Sequence, residues 1–302
     1  MKSQAMNSKR KSKMLYDCFT FFNELDLLEI RFHEMSAIVD KFVVVEAAKT
    51  FSGQPKPLYF WENRERFAGF LDKVIHVPVT IPDALMNEFS GKSDAWAREY
   101  YQRDQILKGL QFAQPDDLVM VSDVDEIVSA AKLEKAISDR AAGELVIFTL
   151  SHNIYYLNRR AVHDPVWSLG PRMLEFKHLT SPQKLRMTRI KGSKRIKKGA
   201  LQNAHTRLMN FFKTGISNPI RIIPDAGWHF SSIGDWKKFR MKIEAYSHQE
   251  MLDADSYRNE RAFYDDVMSS TETVDIAELP KFIQLNLERF GPNIFSVDRQ
   301  ER

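Results

Sequence analysis

The sequence predicts an α/β protein, a Rossmann-type, mostly parallel sheet flanked by helices in a single domain. Two observations carry this. Over the first half of the chain, apolar runs of strand length alternate with segments of helical periodicity, the pattern of strands joined by crossover helices. Two of those runs, Phe42-Val-Val-Val45 and Leu118-Val-Met-Val121, are apolar at every position, which suits strands covered on both faces. A chain of 302 residues, 43% hydrophobic and 28% charged, has the composition of a globular protein and the length for one large core.

The elements follow in order. Residues 16–22 are rich in aromatics and read as a strand, and Asn23 is placed to cap the helix after it. Along that helix Leu28, Phe32, Met35 and Val39 share one face. Residues 42–45 form the second strand, ending at Glu46, and 72–79 the third. Residues 96–110 read as a helix burying Tyr100, Ile106, Leu107 and Leu110, and 117–123 as the strand it feeds. Further strands are expected at 144–150, continued at 153–157, and at 220–223 and 227–231; helices at 236–246, 262–268 and 281–290.

Charge is unevenly spread. The net charge is +4, yet residues 177–220 hold no Asp or Glu. With the 12 Lys and Arg from Lys177 to Arg221 set aside, 32 basic residues stand against 40 acidic ones. That block reads as a long basic loop over 176–221 meeting an anionic partner, either a phosphorylated acceptor or an anionic membrane surface. Stacking aromatics are missing until Phe211 and Phe212, so no nucleic-acid partner is expected. The single cysteine, Cys18, rules out an internal disulfide and reads as a buried structural thiol. No apolar run reaches the roughly 20 residues of a membrane span. These features suggest a cytoplasmic protein, peripheral at the inner membrane surface. Residues 1–14 read as a disordered basic tail, 15–250 as the main domain and 251–302 as a helical extension packed on it.

Asp123 and Asp125 emerge one residue apart where the strand at 117–123 ends. Two readings are open. The pair can hold a hard cation, Mn²⁺ or Mg²⁺, shared with substrate phosphates. Alternatively, Ser122 or Asp123 caps a helix whose positive end Asp125 and Glu126 face.

Several segments, in order, resemble family 17 glycosyltransferases: the run from Tyr16 to Glu34, Val39-Asp-Lys-Phe-Val-Val-Val-Glu46, Thr50-Phe-Ser-Gly53, Lys56-Pro-Leu-Tyr-Phe60, Trp96-Ala-Arg-Glu-Tyr-Tyr-Gln-Arg103, Ser122-Asp-Val-Asp-Glu-Ile127 and Ala226-Gly-Trp-His-Phe-Ser231. They span about residues 15–250. The resemblance implies a GT-A-like fold, a nucleotide-sugar donor and inversion at the sugar carbon. Asp123 and Asp125 then become the Asp-x-Asp pair, with Asp125 the direct ligand and Asp123 a ligand or ribose contact. His229 is either a packed core histidine or a third metal ligand. Arg103 would face the donor, with Arg98 held by Asp94 in a surface pair. Glu46 would line the nucleotide pocket or cap a helix, and Lys242 would reach the diphosphate. The catalytic base is open among Asp225, Glu175, Glu244 and Glu250, with Asp225 and Glu175 ranked first.

The expected activity is therefore transfer of a sugar, N-acetylglucosamine first, from a UDP-sugar to a glycan or glycolipid acceptor in bacterial-type polysaccharide or lipopolysaccharide synthesis. A metal-dependent nucleotidyltransferase or phosphoesterase is the alternative using the same two aspartates, and a nucleic-acid-binding protein using the basic block is a more distant one.

Overall fold

The computed structural model describes residues 13–82, 93–190, 200–246 and 252–296. Strand β1 (Leu15–Phe21) leads to α1 (Leu25–Met35), β2 (Lys41–Ala47), α2 (Tyr59–Glu62) and β3 (Val74–Val79). Helices α3 (Asp94–Asp104) and α4 (Ile106–Gly109) precede β4 (Leu118–Asp123). Then come β5 (Glu126–Val128), α5 (Ala130–Asp139), β6 (Leu145–Phe148), β7 (Leu150–Ile154), β8 (Arg159–Ala161), β9 (Val166–Trp167) and β10 (Arg172–Glu175). Helices α6 (Pro182–Arg186) and α7 (Ala200–Thr214) follow, then β11 (Ile220–Ile223), β12 (Gly227–Ser231) and α8 (Trp236–Ala245). The chain closes with α9 (Asp255–Arg258), α10 (Glu260–Ser270), β13 (Thr271–Thr273), α11 (Lys281–Leu285) and α12 (Leu287–Phe290).

The main sheet has the order β11-β6-β10-β4-β1-β2-β3, and within it β10 alone runs antiparallel to its neighbours. Its central strands are buried on both faces, as their unbroken apolar runs require. Alternation along them divides the core in two. Phe19, Phe21, Phe42 and Val44 pack with Leu28, Phe32 and Met35 of α1. Cys18, Val43 and Val45 face the other way, onto Ile106 and Leu110. The expected α/β fold, GT-A-like with a parallel-rich sheet, is the one observed.

A second sheet, β13-β8-β7-β12-β5 with β9 beside β7, brings the later part of the chain against the end of β4. The expected strand at 144–150 is split here: β6 stays in the main sheet and β7 joins the second. The C-terminal region packs on the same body and contributes a strand as well as helices. Residue Arg289 pairs with Glu29 of α1, and Trp228 Nε1 donates to the Glu278 carbonyl at 2.8 Å.

Four local expectations are corrected. Asn23 does not cap α1; the N-cap is Glu24, whose carboxylate folds back to accept the N–H groups of Phe22 and Asn23. Leu107 is exposed, because the helix breaks at Gln105 and α4 restarts with a different face inward. The block at 176–221 is not one loop. Ser181 caps α6 through the Lys184 N–H, with Pro182 opening the helix, and α7 follows. Of the expected tail, residues 1–12 lie outside the described residues, while Lys13 and Met14 are anchored on Glu175 and Asp117.

Candidate active site

Strand order places the site. From β1 the chain proceeds to β2 and β3 on one side, whereas β4 lies on the other, so the order reverses between β1 and β4. Such a switch point leaves a crevice beyond the carboxyl ends of the strands, where open α/β sheets bind ligands. A cleft occupies that position. Thr20, Phe21 and Phe22 line it from β1, Lys49 and Phe51 from the loop after β2, Asp123 and Asp125 from the end of β4, and Lys242 and Tyr246 from α8 and its end.

No helix begins at the Asp123–Asp125 turn. The chain passes directly into β5, so the helix-cap reading fails. The turn is instead held from below by Arg31, which is fully buried. Its guanidinium donates to both oxygens of Asp17 at 2.6 and 2.7 Å, to Ser122 Oγ at 2.6 Å, and to the carbonyls of Asp123 and Glu126 at 3.1 and 2.7 Å.

Asp123 is clamped between two arginines. Arg103 donates to Oδ1 at 2.8 Å and Arg186 to Oδ2 at 3.0 Å. Burial alone would raise this carboxyl, but the two guanidinium groups outweigh it and hold it below the usual carboxylate range. Asp123 is therefore a fixed anion that accepts one guanidinium bond on each carboxylate oxygen. Arg103 also pairs with Glu99 at 2.9 Å and contacts Gln183, so it positions Asp123 while lining the cleft. Arg98 donates to the Phe51 carbonyl at 2.9 Å and lies 3.7 Å from Asp94.

Asp125 is set differently. Lys242 Nζ lies 3.1 Å from Oδ2, and His229 Nε2 lies 3.7 Å from Oδ1. Burial lowers the Lys242 ammonium, but Asp125 outweighs it and raises it above its ordinary value. Burial pushes the His229 imidazole down to about 4, so it is neutral near pH 7 and keeps a lone pair for a metal. Its ring stacks on Trp167 at 4.2 Å and on His152 at 5.2 Å. His229 is thus packed in the core with Nε2 turned toward the aspartate.

These two residues fit a small cation. Cis ligands of an octahedral ion at about 2.1 Å stand about 3 Å apart, a modest closure from the observed separation. Among the described residues no three His, Cys, Asp or Glu side chains converge closely enough to hold an ion alone. Two protein ligands with the remaining positions open to phosphate oxygens is the usual arrangement for such cations.

Gly227 makes the approach of β12 possible. It has φ +149°, and a Cβ there would meet the Ile127 carbonyl oxygen at 2.1 Å. With glycine in place, β12 pairs with β5 so that His229 lies opposite Glu126.

Other expected residues lie elsewhere. Glu46 is buried outside the cleft, where it accepts the Phe60 N–H at 2.9 Å and meets His76 at 3.1 Å and Lys56 at 3.6 Å. It therefore caps α2, and of this group Lys56 lines the cleft. Glu175 pairs in register with Leu118, the first residue of β4, so it sits about 17 Å along the strand from Asp123, at the wrong end of the sheet. Arg140, Lys177 and Lys13 surround it, overcoming its burial and drawing its carboxyl down to about 2. Asp225 is exposed and lines another cleft with Trp228, whose side chain leaves β12 on the face opposite His229. Glu244 bonds Tyr257 on the surface at 2.9 Å, and Glu250 is outside the described residues.

Arg31, Arg186 and Glu24 were missed as site residues. Arg31 had a signal, being the lone cation on the stripe of Leu28, Phe32 and Met35, 14 residues from a lone acid in an apolar strand. Arg186 also had one, since Ser181-Pro182 is a helix start that removes it from any loop. Glu24 lines both this cleft and a neighbouring one, which also share Lys242.

A parallel sheet whose switch-point cleft is floored by two aspartates and ringed by Arg and Lys defines a GT-A-like α/β protein suited to an anionic ligand. The chain belongs to glycosyltransferase family 17, whose family model matches residues 3–167. It is 34% identical over 113 residues to the beta-1,4-mannosyl-glycoprotein 4-beta-N-acetylglucosaminyltransferases of Homo sapiens and Rattus norvegicus. That match covers 35% of this chain and 20% of each relative, so the chain spans only a fifth of the relatives' length. Among solved structures it is similar to the inositol-1-phosphate CTP transferase from T. maritima, at TM-score 0.34 and 12% identity over 72% of this chain and 87% of that one. It is also similar to glucosyl-3-phosphoglycerate synthase from Mycobacterium tuberculosis in complex with Mn²⁺, UDP and phosphoglyceric acid, at TM-score 0.36 and 13% identity over 72% and 70% of the two chains. Likenesses this distant carry no argument about ligands.

Proposed function

We propose that this protein is an inverting, metal-dependent glycosyltransferase that moves N-acetylglucosamine from its UDP ester to a glycan or glycolipid, as in bacterial-type polysaccharide or lipopolysaccharide synthesis. The observation that carries the reading is the switch-point cleft lined by Asp125 and Lys242, with His229 buried behind Asp125 at 3.7 Å, in a family 17 chain. The choice of sugar follows the relatives' name.

Asp125 and His229 would hold Mn²⁺ or Mg²⁺ against the donor diphosphate. Bound there, the ion supplies charge neutralisation for the departing UDP. Lys242 adds a fixed positive charge where negative charge develops. Arg103 and Arg186 orient Asp123 toward the nucleotide ribose. Phe22 and Phe51 provide apolar walls for the nucleoside, and Lys49 and Lys56 a positive rim.

Glu24 is the base this reading selects. Glu99 and Asp123 are locked by guanidinium groups, and Asp125 faces the cation site. The Glu24 bonds to the Phe22 and Asn23 N–H groups both use Oε2, which leaves Oε1 for an acceptor hydroxyl at the junction of the two clefts. That hydroxyl oxygen attacks the sugar C1 from the face opposite the diphosphate. The C1–O bond breaks with its electron pair leaving on UDP, and the proton passes to Glu24.

The test is UDP release from a panel of UDP-sugars with Mn²⁺, for wild type and Glu24→Gln. The variant should bind UDP normally and turn over about 10²- to 10³-fold more slowly. Full turnover by Glu24→Gln would remove Glu24 as base. A wild type that releases UDP from no sugar nucleotide would remove the transferase reading.

A further inference from the structure

Helix α7 is packed inside out. Its described inward positions are Thr206, Asn210 and Thr214, one per turn and all polar, whereas Leu208, Met209, Phe211 and Phe212 are 53, 53, 50 and 76% exposed. A surface helix ordinarily does the reverse. The polar stripe is well bonded. Asn210 accepts the Arg189 N–H at 3.1 Å and donates to the Arg189 carbonyl at 3.2 Å, and Thr180 Oγ1 donates to the Thr214 carbonyl at 3.1 Å. Over its described side chains the helix is thus attached to the body without the large apolar ones, which at spacings of three and four form one outward patch.

The helix and the segment leading to it are cationic. Arg207 and Lys213 stand beside the patch on α7, and Lys184 and Arg189 lie on and just after α6; all four are exposed, and none forms an ion pair among the described residues. No acid occurs from 177 to 220 to offset them. A second copy of this face would set these cations against their own kind, at an electrostatic cost. The chain's own first 12 residues hold Lys and Arg but no acid, so they are mismatched too. Apolar and aromatic side chains accompanied by exposed cations without ion pairs match a surface that is apolar below and anionic above.

We propose that α7 is an interfacial docking element for an anionic lipid bilayer. Leu208, Met209, Phe211 and Phe212 enter the headgroup boundary, and the four cations meet the lipid phosphates. The docked helix is joined to the donor site by a short path, because Arg189, clipped by Asn210, lies three residues beyond Arg186 on Asp123. The arrangement suits an acceptor presented at the inner membrane surface.

Vesicle flotation of the full chain tests this without any donor, so its failure is separate from failure of the transferase reading. The protein should float with phosphatidylcholine vesicles containing about one third phosphatidylglycerol, and not with phosphatidylcholine alone, and raised salt should weaken binding. Leu208→Gln/Phe212→Gln should lower binding about tenfold or more at unchanged melting temperature, since both side chains are already in solvent. No flotation, equal flotation with both vesicles, or a double variant that floats like wild type would overturn the proposal. So would sedimentation velocity showing a wild-type dimer that this variant dissolves, which would assign the face to a second copy.

Discussion

Arg31 and Asp17 form a bidentate ion pair, 2.6 and 2.7 Å, with both side chains fully buried beneath the turn that carries Asp123 and Asp125. Removing one partner leaves an uncompensated charge in the core. Asp17→Asn should cost about 3–5 kcal/mol in urea denaturation. Because Arg31 also fixes the Asp123 and Glu126 carbonyls, the variant's affinity for UDP should fall as well. A loss below about 1 kcal/mol would mean the turn is held by something else.

Arg186 joins two carboxylates that lie beside each other. It donates to Asp123 at 3.0 Å and to both oxygens of Glu126 at 2.8 and 2.9 Å. Burial lifts the Glu126 carboxyl above its ordinary value even with Arg186 present. Arg186→Ala should therefore lower UDP affinity at least about tenfold and reduce the melting temperature. Arg186→Lys should recover only part, since an ammonium cannot reproduce the planar fork. Titration calorimetry on the three proteins checks the order.

Gly227→Ala places a methyl group against the Ile127 carbonyl at a φ that side chains rarely adopt. We expect a loss of more than about 2 kcal/mol, together with loss of metal-dependent UDP binding as β12 moves His229 away from Asp125. Normal binding in a destabilised variant would separate the strand's structural role from its role in the site.

The Glu175 carboxyl, at about 2, lies below the roughly 4.3 of an unfolded chain, so its stabilisation is complete at neutral pH and declines as pH falls through the interval between them. Two of its cationic partners, Lys13 and Lys177, are half in solvent, which limits the gain at pH 7 to about 2 kcal/mol. Glu175→Gln should cost that much at pH 7, with roughly half of the difference remaining at pH 3. Its turnover at pH 7 should match wild type. Loss of turnover at unchanged stability would restore Glu175 to the catalytic candidates.

The main sheet was legible because its central strands are apolar at every position and their interval helices keep a clear periodicity, as Val43, Val44 and Phe32 illustrate. Asp125 and Lys242, both named from the sequence, are brought to one cleft. Glu24, the base proposed above, was not among the sequence candidates. Proximity to a glycine-aromatic motif favoured Asp225, but alternation along β12 turns that end of the strand toward another cleft. Glu175 was misleading for a different reason: β10 runs against β4, so its last residue returns to the start of the parallel strand. Arg186 was hidden by its basic surroundings, where its two carboxylate partners, 60 and more residues away, could not be anticipated from local charge.

We expect Asp125 and His229 to form a cation seat for a nucleoside diphosphate. The decisive measurement is calorimetric titration of UDP into wild type and Asp125→Asn, each with Mn²⁺ and with chelator. The predicted result is binding by wild type that tightens at least about tenfold with Mn²⁺, and no Mn²⁺ effect in Asp125→Asn. Equal Mn²⁺ enhancement in both proteins, or UDP binding by wild type indifferent to the ion, would contradict it.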